Sequence, residues 1–298
     1  MALNHKPMNP SFHPLRGIAL MLLATLLFAS HDALSKYLSG FYPIVMIVWA
    51  RYLVHTVLMA AVFIPQNGLR VLRSKRPLLQ ALRGLCLLGT SVLFNSGLIF
   101  IPLAEATAVN FLAPLLVTAL SVWLLGERVS IGQWLAVSLG FAGVLLIVHP
   151  GSSFFAPPIL LPLGSALCFC GYQLLTRKLA AFDSSTTSNF FAGLQNTLIM
   201  TALVPFFWHF PDNLKDGLLM LALGCCGMVS HLSLSQAFHY APPVLLAPFS
   251  YCHLLFATLL GGLFFAHWPD SSSLLGIALV CASGLAAVCL QQRQGQKL

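Results

Sequence analysis

Ten apolar runs, each long enough to cross a lipid bilayer and each bounded by proline, glycine or a polar turn, constrain this chain more than any other feature. They lie near 17–37, 44–64, 82–101, 107–125, 131–148, 159–177, 187–207, 218–237, 243–265 and 273–290. A helix needs about 20 apolar residues at 1.5 Å rise to span a hydrocarbon core of about 30 Å. Every backbone polar group must then bond within its own segment, so runs of this length fold as helices. Ten of them use roughly 200 residues, and the rest of the 298 supplies connections and tails rather than a soluble domain. Charged residues make up 7% of the chain, against about 25% in a soluble domain. The expected fold is an all-α integral membrane protein of ten transmembrane helices, in contact with the lipid bilayer.

The net charge of +8 does not point to nucleic acid, because the basic residues sit in short loops on one side. With an even number of spans both tails share a side. Placing that side in the cytoplasm collects Lys6, Arg16, Arg70, Arg73, Lys75, Arg76, Arg83, Arg128, Arg177, Lys178, Arg293 and Lys297, twelve of the fifteen. Lysine and arginine near a span resist translocation, so the reading is N-in, C-in. Lys6 and Arg16 ahead of Ile18–Phe28 mimic a secretory signal, but the run continues into a polar stretch with no small-residue cleavage site, and a retained first helix is expected.

The two halves repeat. Phe28 and Leu34-Ser35-Lys36-Tyr37-Leu38 echo Phe169 and Leu175-Thr176-Arg177-Lys178-Leu179 at a spacing of 141 residues; Asn95 falls against His231 at 136, and Ala113-Pro114 against Ala247-Pro248 at 134. Each repeat holds five spans, an odd number, so the halves cross the membrane in opposite directions. The organisation read from this is a tail at 1–16, a first repeat at 17–148, a second at 159–290 and a tail at 291–298. Inverted repeats suit a carrier, since two similar bundles can open one central site to either side in turn.

These residues resemble the drug/metabolite transporter superfamily, in its EamA-type ten-helix branch, over essentially the whole chain. The motifs are Ala104-Glu105-Ala106-Thr107-Ala108 leading to Pro114, Leu124-Leu125-Gly126-Glu127-Arg128, and Gly140 with Gly143. Asp32-Ala33-Leu34-Ser35-Lys36-Tyr37, and Arg76-Pro77 followed by Leu82-Arg83-Gly84, look more like the branch of riboflavin and S-adenosylmethionine transporters. Where the family often has a second Gly-Glu pair, this chain reads Ala266-His267-Trp268. The resemblance implies a carrier of a small metabolite, with riboflavin the narrower candidate, in a bacterial inner membrane. It implies a cavity formed by helices 1 to 4 with 6 to 9, and helices 5 and 10 at the periphery. Export of amino acids or drug-like metabolites stays open, as do direction, coupling and a homodimer through small-residue faces.

Polar residues inside the spans are the candidate site, because an ionisable group there costs about 2.5–3.5 kcal/mol on insertion scales unless it faces a partner or a wet cavity. Asp32 and Arg51 fall at similar depth on consecutive helices, so an Asp32–Arg51 interaction is expected, with Lys36, four residues after Asp32, as the competing partner. The cluster reads either as proton coupling and substrate contact or as a structural lock. His31, His55, His231 and His253 also lie within spans. His231 and its repeat mate Asn95 occupy mirrored heights and can flank one site. Asn110, Tyr172, Gln195, Tyr251 and His253 complete the expected substrate-binding set, a lining suited to a planar or uncharged molecule. Pro114 and Pro248 occupy equivalent spans and are candidate hinges. Glu127-Arg128 reads as a helix-capping and leaflet-anchoring turn.

No cofactor or metal is expected. Cys168 with Cys170, and Cys225 with Cys226, sit inside apolar runs where a thiol packs as a small hydrophobe. The chain has no phosphate-cradling loop for ATP, no Gly-x-Ser-x-Gly elbow and no His-Glu-x-x-His pair, so an intramembrane enzyme is the weaker reading.

Overall fold

Proline at the first position of a helix is pre-set for helical φ and gives up only a donor that would be unsatisfied anyway. Pro14 and Pro77 open two helices in this way. In the computed structural model, residues 13–68, 73–125, 129–148, 157–179, 182–241 and 243–295 are described. They form α1 (Pro14–Leu38), α2 (Ile44–Asn67), α3 (Pro77–Phe100), α4 (Leu103–Asn110), α5 (Ala113–Leu125), α6 (Ile131–Val148), α7 (Leu160–Leu179), α8 (Ser185–Leu203), α9 (Leu214–Tyr240), α10 (Pro243–Ser250), α11 (Cys252–Phe265) and α12 (Ser271–Gly295). Nine helical segments among the described residues are long and apolar enough to cross a membrane, and the apolar helix Ile131–Ile147 is shorter. Glu127-Arg128 lies outside the described residues.

The fourth and ninth apolar runs are each two helices end to end rather than one kinked helix. α4 and α5 are separated by Phe111 and Leu112, just before Pro114, which sits at the second position of α5. α10 and α11 are separated by Tyr251, just after Pro248, which lies inside α10. The two breaks thus fall on opposite sides of equivalent prolines. At each, backbone bonds tighten to the third residue back: Leu112 N–H to the Val109 carbonyl at 3.0 Å and Tyr251 N–H to the Pro248 carbonyl at 3.3 Å.

Packing pairs one half with the other. α1 runs along α9 and α3 along α7, while α2 packs on α8 and α9. α6 and α12 pack chiefly on each other, and small residues set how closely. A Cβ on Gly143 would stand 2.8 Å from the Gly276 carbonyl oxygen, and one on Gly276 would stand 2.5 Å from that of Gly143. Backbones this near exclude any side chain at either position.

The connections at the two ends are built alike. Tyr42 N–H bonds the Leu38 carbonyl at 2.9 Å after α1, and Asp183 N–H bonds the Leu179 carbonyl at 3.0 Å after α7. Each turn then meets the first turn of a helix from the other half. The Tyr42 hydroxyl donates to Asp216 Oδ2 of α9 at 2.8 Å, and Gln80 Nε2 of α3 donates to Asp183 Oδ2 at 2.9 Å.

Candidate substrate cavity

A cavity of about 320 Å³ lies between the halves, walled by α1, α2, α3, α4, α5, α7, α9, α10 and α11. Among the described residues, neither α6 nor α12 contributes to the lining. A small extension of about 20 Å³ continues between α2 and α8, past Tyr52, His55, Asn189 and Gly193.

Its walls follow from where apolar helix faces are interrupted. α1 brings Thr25, Phe28, His31 and Asp32 to the cavity, and α3 brings Leu87, Thr90, Ser91, Phe94 and Asn95. Asn95 donates to the Ser91 carbonyl one turn back at 2.6 Å, while its Oδ1 is buried with no partner among the described residues. The α4–α5 break presents Asn110, Phe111 and Pro114, and Asn110 Oδ1 accepts from Ser165 at 3.0 Å. The α10–α11 break presents Ser250 and His253. Phe169 and Tyr172 of α7 stack at 5.7 Å between centroids with planes 9° apart. His231 meets the edge of Phe28 at 5.0 Å and His55 at 6.1 Å.

Asp32 is held by histidines. His31 Nδ1 lies 3.0 Å from its Oδ1, and His253 Nε2, from α11, lies 3.0 Å from its Oδ2. The expected Asp32–Arg51 contact is corrected by this geometry. Arg51 donates Nη1 to Ser91 Oγ at 3.0 Å and lies over the Tyr52 ring at 5.3 Å. Both charges reach the same cavity, but the histidines are nearer to the carboxylate. Lys36 leaves the cluster as well. Its ammonium bonds the Leu98 and Ile101 carbonyls at 2.7 and 2.9 Å, because the end of α3 offers it acceptors that have no partner within their own helix.

Of the other expected substrate contacts, Asn95, Asn110, Tyr172, His231 and His253 line the cavity together, and Gln195 and Tyr251 do not. Gln195 donates to the Ala81 carbonyl at 3.0 Å and covers Gly84, so it serves the α3–α8 contact. The buried Tyr251 points its hydroxyl against Gly284 of α12 and meets Phe111 ring to ring at 5.3 Å. Pro114 lines the cavity, and Pro248 is exposed.

The functional neighbour that the sequence reading misplaced is Arg83, counted there among the loop charges. It is 1% exposed. Its guanidinium donates to Thr176 Oγ1 at 2.6 Å, the Ser188 carbonyl at 2.8 Å, the Tyr172 hydroxyl at 2.7 Å and Asn189 Oδ1 at 3.2 Å. It also sits 4.4 Å over the Tyr172 ring, so it fixes the aromatic that faces the cavity. The available signal was Pro77: a helix opening there puts Arg83 about 9 Å in at 1.5 Å per residue.

A model of the EamA-like transporter family matches residues 15–149 and again 156–288. The chain belongs to that family. Its EamA-like relatives include an S-adenosylmethionine uptake transporter of Rickettsia felis, 25% identical over 279 residues and 94% of each chain. The riboflavin transporter of Vibrio cholerae is 27% identical over 280 residues, 93% of this chain and 94% of that one. The pseudopaline exporter CntI of Pseudomonas aeruginosa is 27% identical over 274 residues, 91% of this chain and 95% of that one. A solved crystal structure superposes with a TM-score of 0.65 at 23% identity, covering 94% of this chain and 98% of the other, and shares the fold. An EamA-like transporter with this many apolar helices is a multi-pass membrane protein that handles small metabolites.

Proposed function

We propose that this chain is a secondary carrier that moves a small metabolite bearing a planar heteroaromatic ring across a cell inner membrane by alternating access. The observation that carries the reading is the cavity wall, where Phe28, Phe94, Phe111, Phe169 and Tyr172 surround about 320 Å³ together with three histidines. A planar ring placed there gains about 0.5–1.5 kcal/mol per aromatic contact beyond its buried area. Asn95, Asn110, Ser91 and Thr90 supply hydrogen bonds for a polar tail. Riboflavin, the narrower candidate from the sequence, and S-adenosylmethionine, handled by the Rickettsia relative, both carry such a ring.

The walls come from both halves, which supports a site opened to each side in turn. The basic loops support an N-in, C-in orientation, which puts Asp183 at the cytoplasmic end and Tyr42 at the opposite one. The two helix breaks, one lining the cavity through Pro114 and the other ending α10 beyond Pro248, are the proposed hinges.

The test is uptake by proteoliposomes of radiolabelled riboflavin and S-adenosylmethionine, each with and without an imposed pH gradient. Saturable uptake of at least one is expected, with Phe169→Ala raising the half-saturating concentration about tenfold. Uptake of neither above protein-free vesicles, by a preparation shown to be folded, rejects the reading.

A further inference from the structure

Asp32 is the sole carboxylate, and Arg51 the sole lysine or arginine, among the described residues that line the cavity. Neither neutralises the other. The carboxylate takes one histidine nitrogen on each oxygen, at 3.0 Å in both cases. A carboxylate has about four acceptor positions, so two remain on a residue that lines the cavity. Arg51 gives Nη1 to Ser91 Oγ at 3.0 Å, and its Nε and Nη2 have no partner among the described residues. The other charged groups nearby are committed elsewhere: Lys36 to the carbonyls that end α3, Arg83 to acceptors on α7 and α8, and Glu105 to His267 at 3.4 Å.

From this we infer that the charged end of the cavity is a subsite for a zwitterion. Arg51 takes a carboxylate, and Asp32 takes the ammonium or sulfonium group of the same molecule whose ring lies on the aromatic wall. Holding opposite charges apart in a span is costly unless something completes both. A guanidinium with two free donor nitrogens fits a carboxylate in a two-point, charge-assisted manner, roughly twice as strong per bond as the same contacts to a neutral ligand. The histidines take one position on each oxygen of Asp32 and leave the remaining two for a cation. The substrate class is therefore a heteroaromatic metabolite with an amino-acid-like tail, ahead of an uncharged one. This deepens the carrier reading above and rests on it.

The test compares binding of three probes to the full chain in lipid nanodiscs. S-adenosylmethionine carries the ring and all of the charges, methylthioadenosine carries the same ring with none, and riboflavin is an uncharged ring of another kind. The expected result is a preference of about 10- to 100-fold for S-adenosylmethionine over methylthioadenosine, the range of one or two charge-assisted bonds. Arg51→Gln and Asp32→Asn should each remove most of that preference, and Arg51→Lys should restore part of it. Equal affinity for the charged and uncharged adenosine probes, or tighter binding of riboflavin, overturns the zwitterion subsite and leaves the carrier reading standing. Binding of none of the three overturns both. The probe comparison on the unaltered chain decides the matter even where a variant fails to fold.

Discussion

His253 Nε2, on the helix that follows the second break, lies 3.0 Å from Asp32 Oδ2 on the first helix, so one hydrogen bond ties the two repeats together at the cavity wall. Interhelical bonds of this kind contribute about 0.6 kcal/mol on average in membranes. A double-mutant cycle with Asp32→Asn and His253→Gln, read by unfolding in mixed micelles, should return a coupling of about that size. Strict additivity would show that the contact adds nothing to stability.

Arg83 makes a larger prediction. Removing it leaves acceptors on Thr176, Ser188, Tyr172 and Asn189 to be satisfied inside the protein. Arg83→Met should destabilise the fold by about 3 kcal/mol, within the range for stranding buried polar groups. Arg83→Lys should fall between, because a point charge cannot reproduce the planar fork. The same unfolding assay checks both, and an unchanged midpoint for Arg83→Met would show that the acceptors find other partners.

Asp183 sets a pH dependence at the end of the molecule that holds it. Partial burial pushes its pKa up, but hydrogen bonds from Ser74, the Lys75 amide and Gln80 outweigh this and hold it below the usual value of 3.8. The unfolded chain therefore takes up its proton first as pH falls. The stability that Asp183 contributes is fully present above about pH 4–5 and is lost as pH drops through the lowered folded value. The difference in melting temperature between the unaltered chain and Asp183→Asn should be constant from pH 7 to 5 and shrink below pH 4. A difference that stays the same down to pH 3 would contradict this.

Tyr251 faces α12, so its hydroxyl and Gly284 are coupled. Gly284→Ala would drive a methyl into the Tyr251 hydroxyl and should cost about 1–3 kcal/mol, as overpacking does. Tyr251→Phe should recover part of that loss when combined with it. No recovery in the double variant would place the strain elsewhere.

Much of the fold was legible because apolar length and breakers are one-dimensional signals. The run at 131–148 coincides with α6, and Pro43 and Pro77 mark the starts of α2 and α3. Depth along a helix was legible too, which is why Asn95 and His231 meet at one cavity. Facing was not. Gln195 and Tyr251 have suitable depth but point into helix contacts, and Asp32 chose histidines over Arg51 because several polar groups at similar depth competed for it. Arg83 was missed because its apolar run begins at residue 82, whereas α3 begins five residues earlier on Pro77.

The central claim, a carrier working through this cavity, is tested most directly by exchange. Proteoliposomes preloaded with unlabelled S-adenosylmethionine or riboflavin would be given the same labelled compound outside. The account predicts saturable entry that is accelerated by the internal compound and abolished by Ser91→Trp, which fills the cavity beside Arg51, in a folded preparation. Entry that rises without saturation and ignores the internal compound, or that persists in Ser91→Trp, would contradict it.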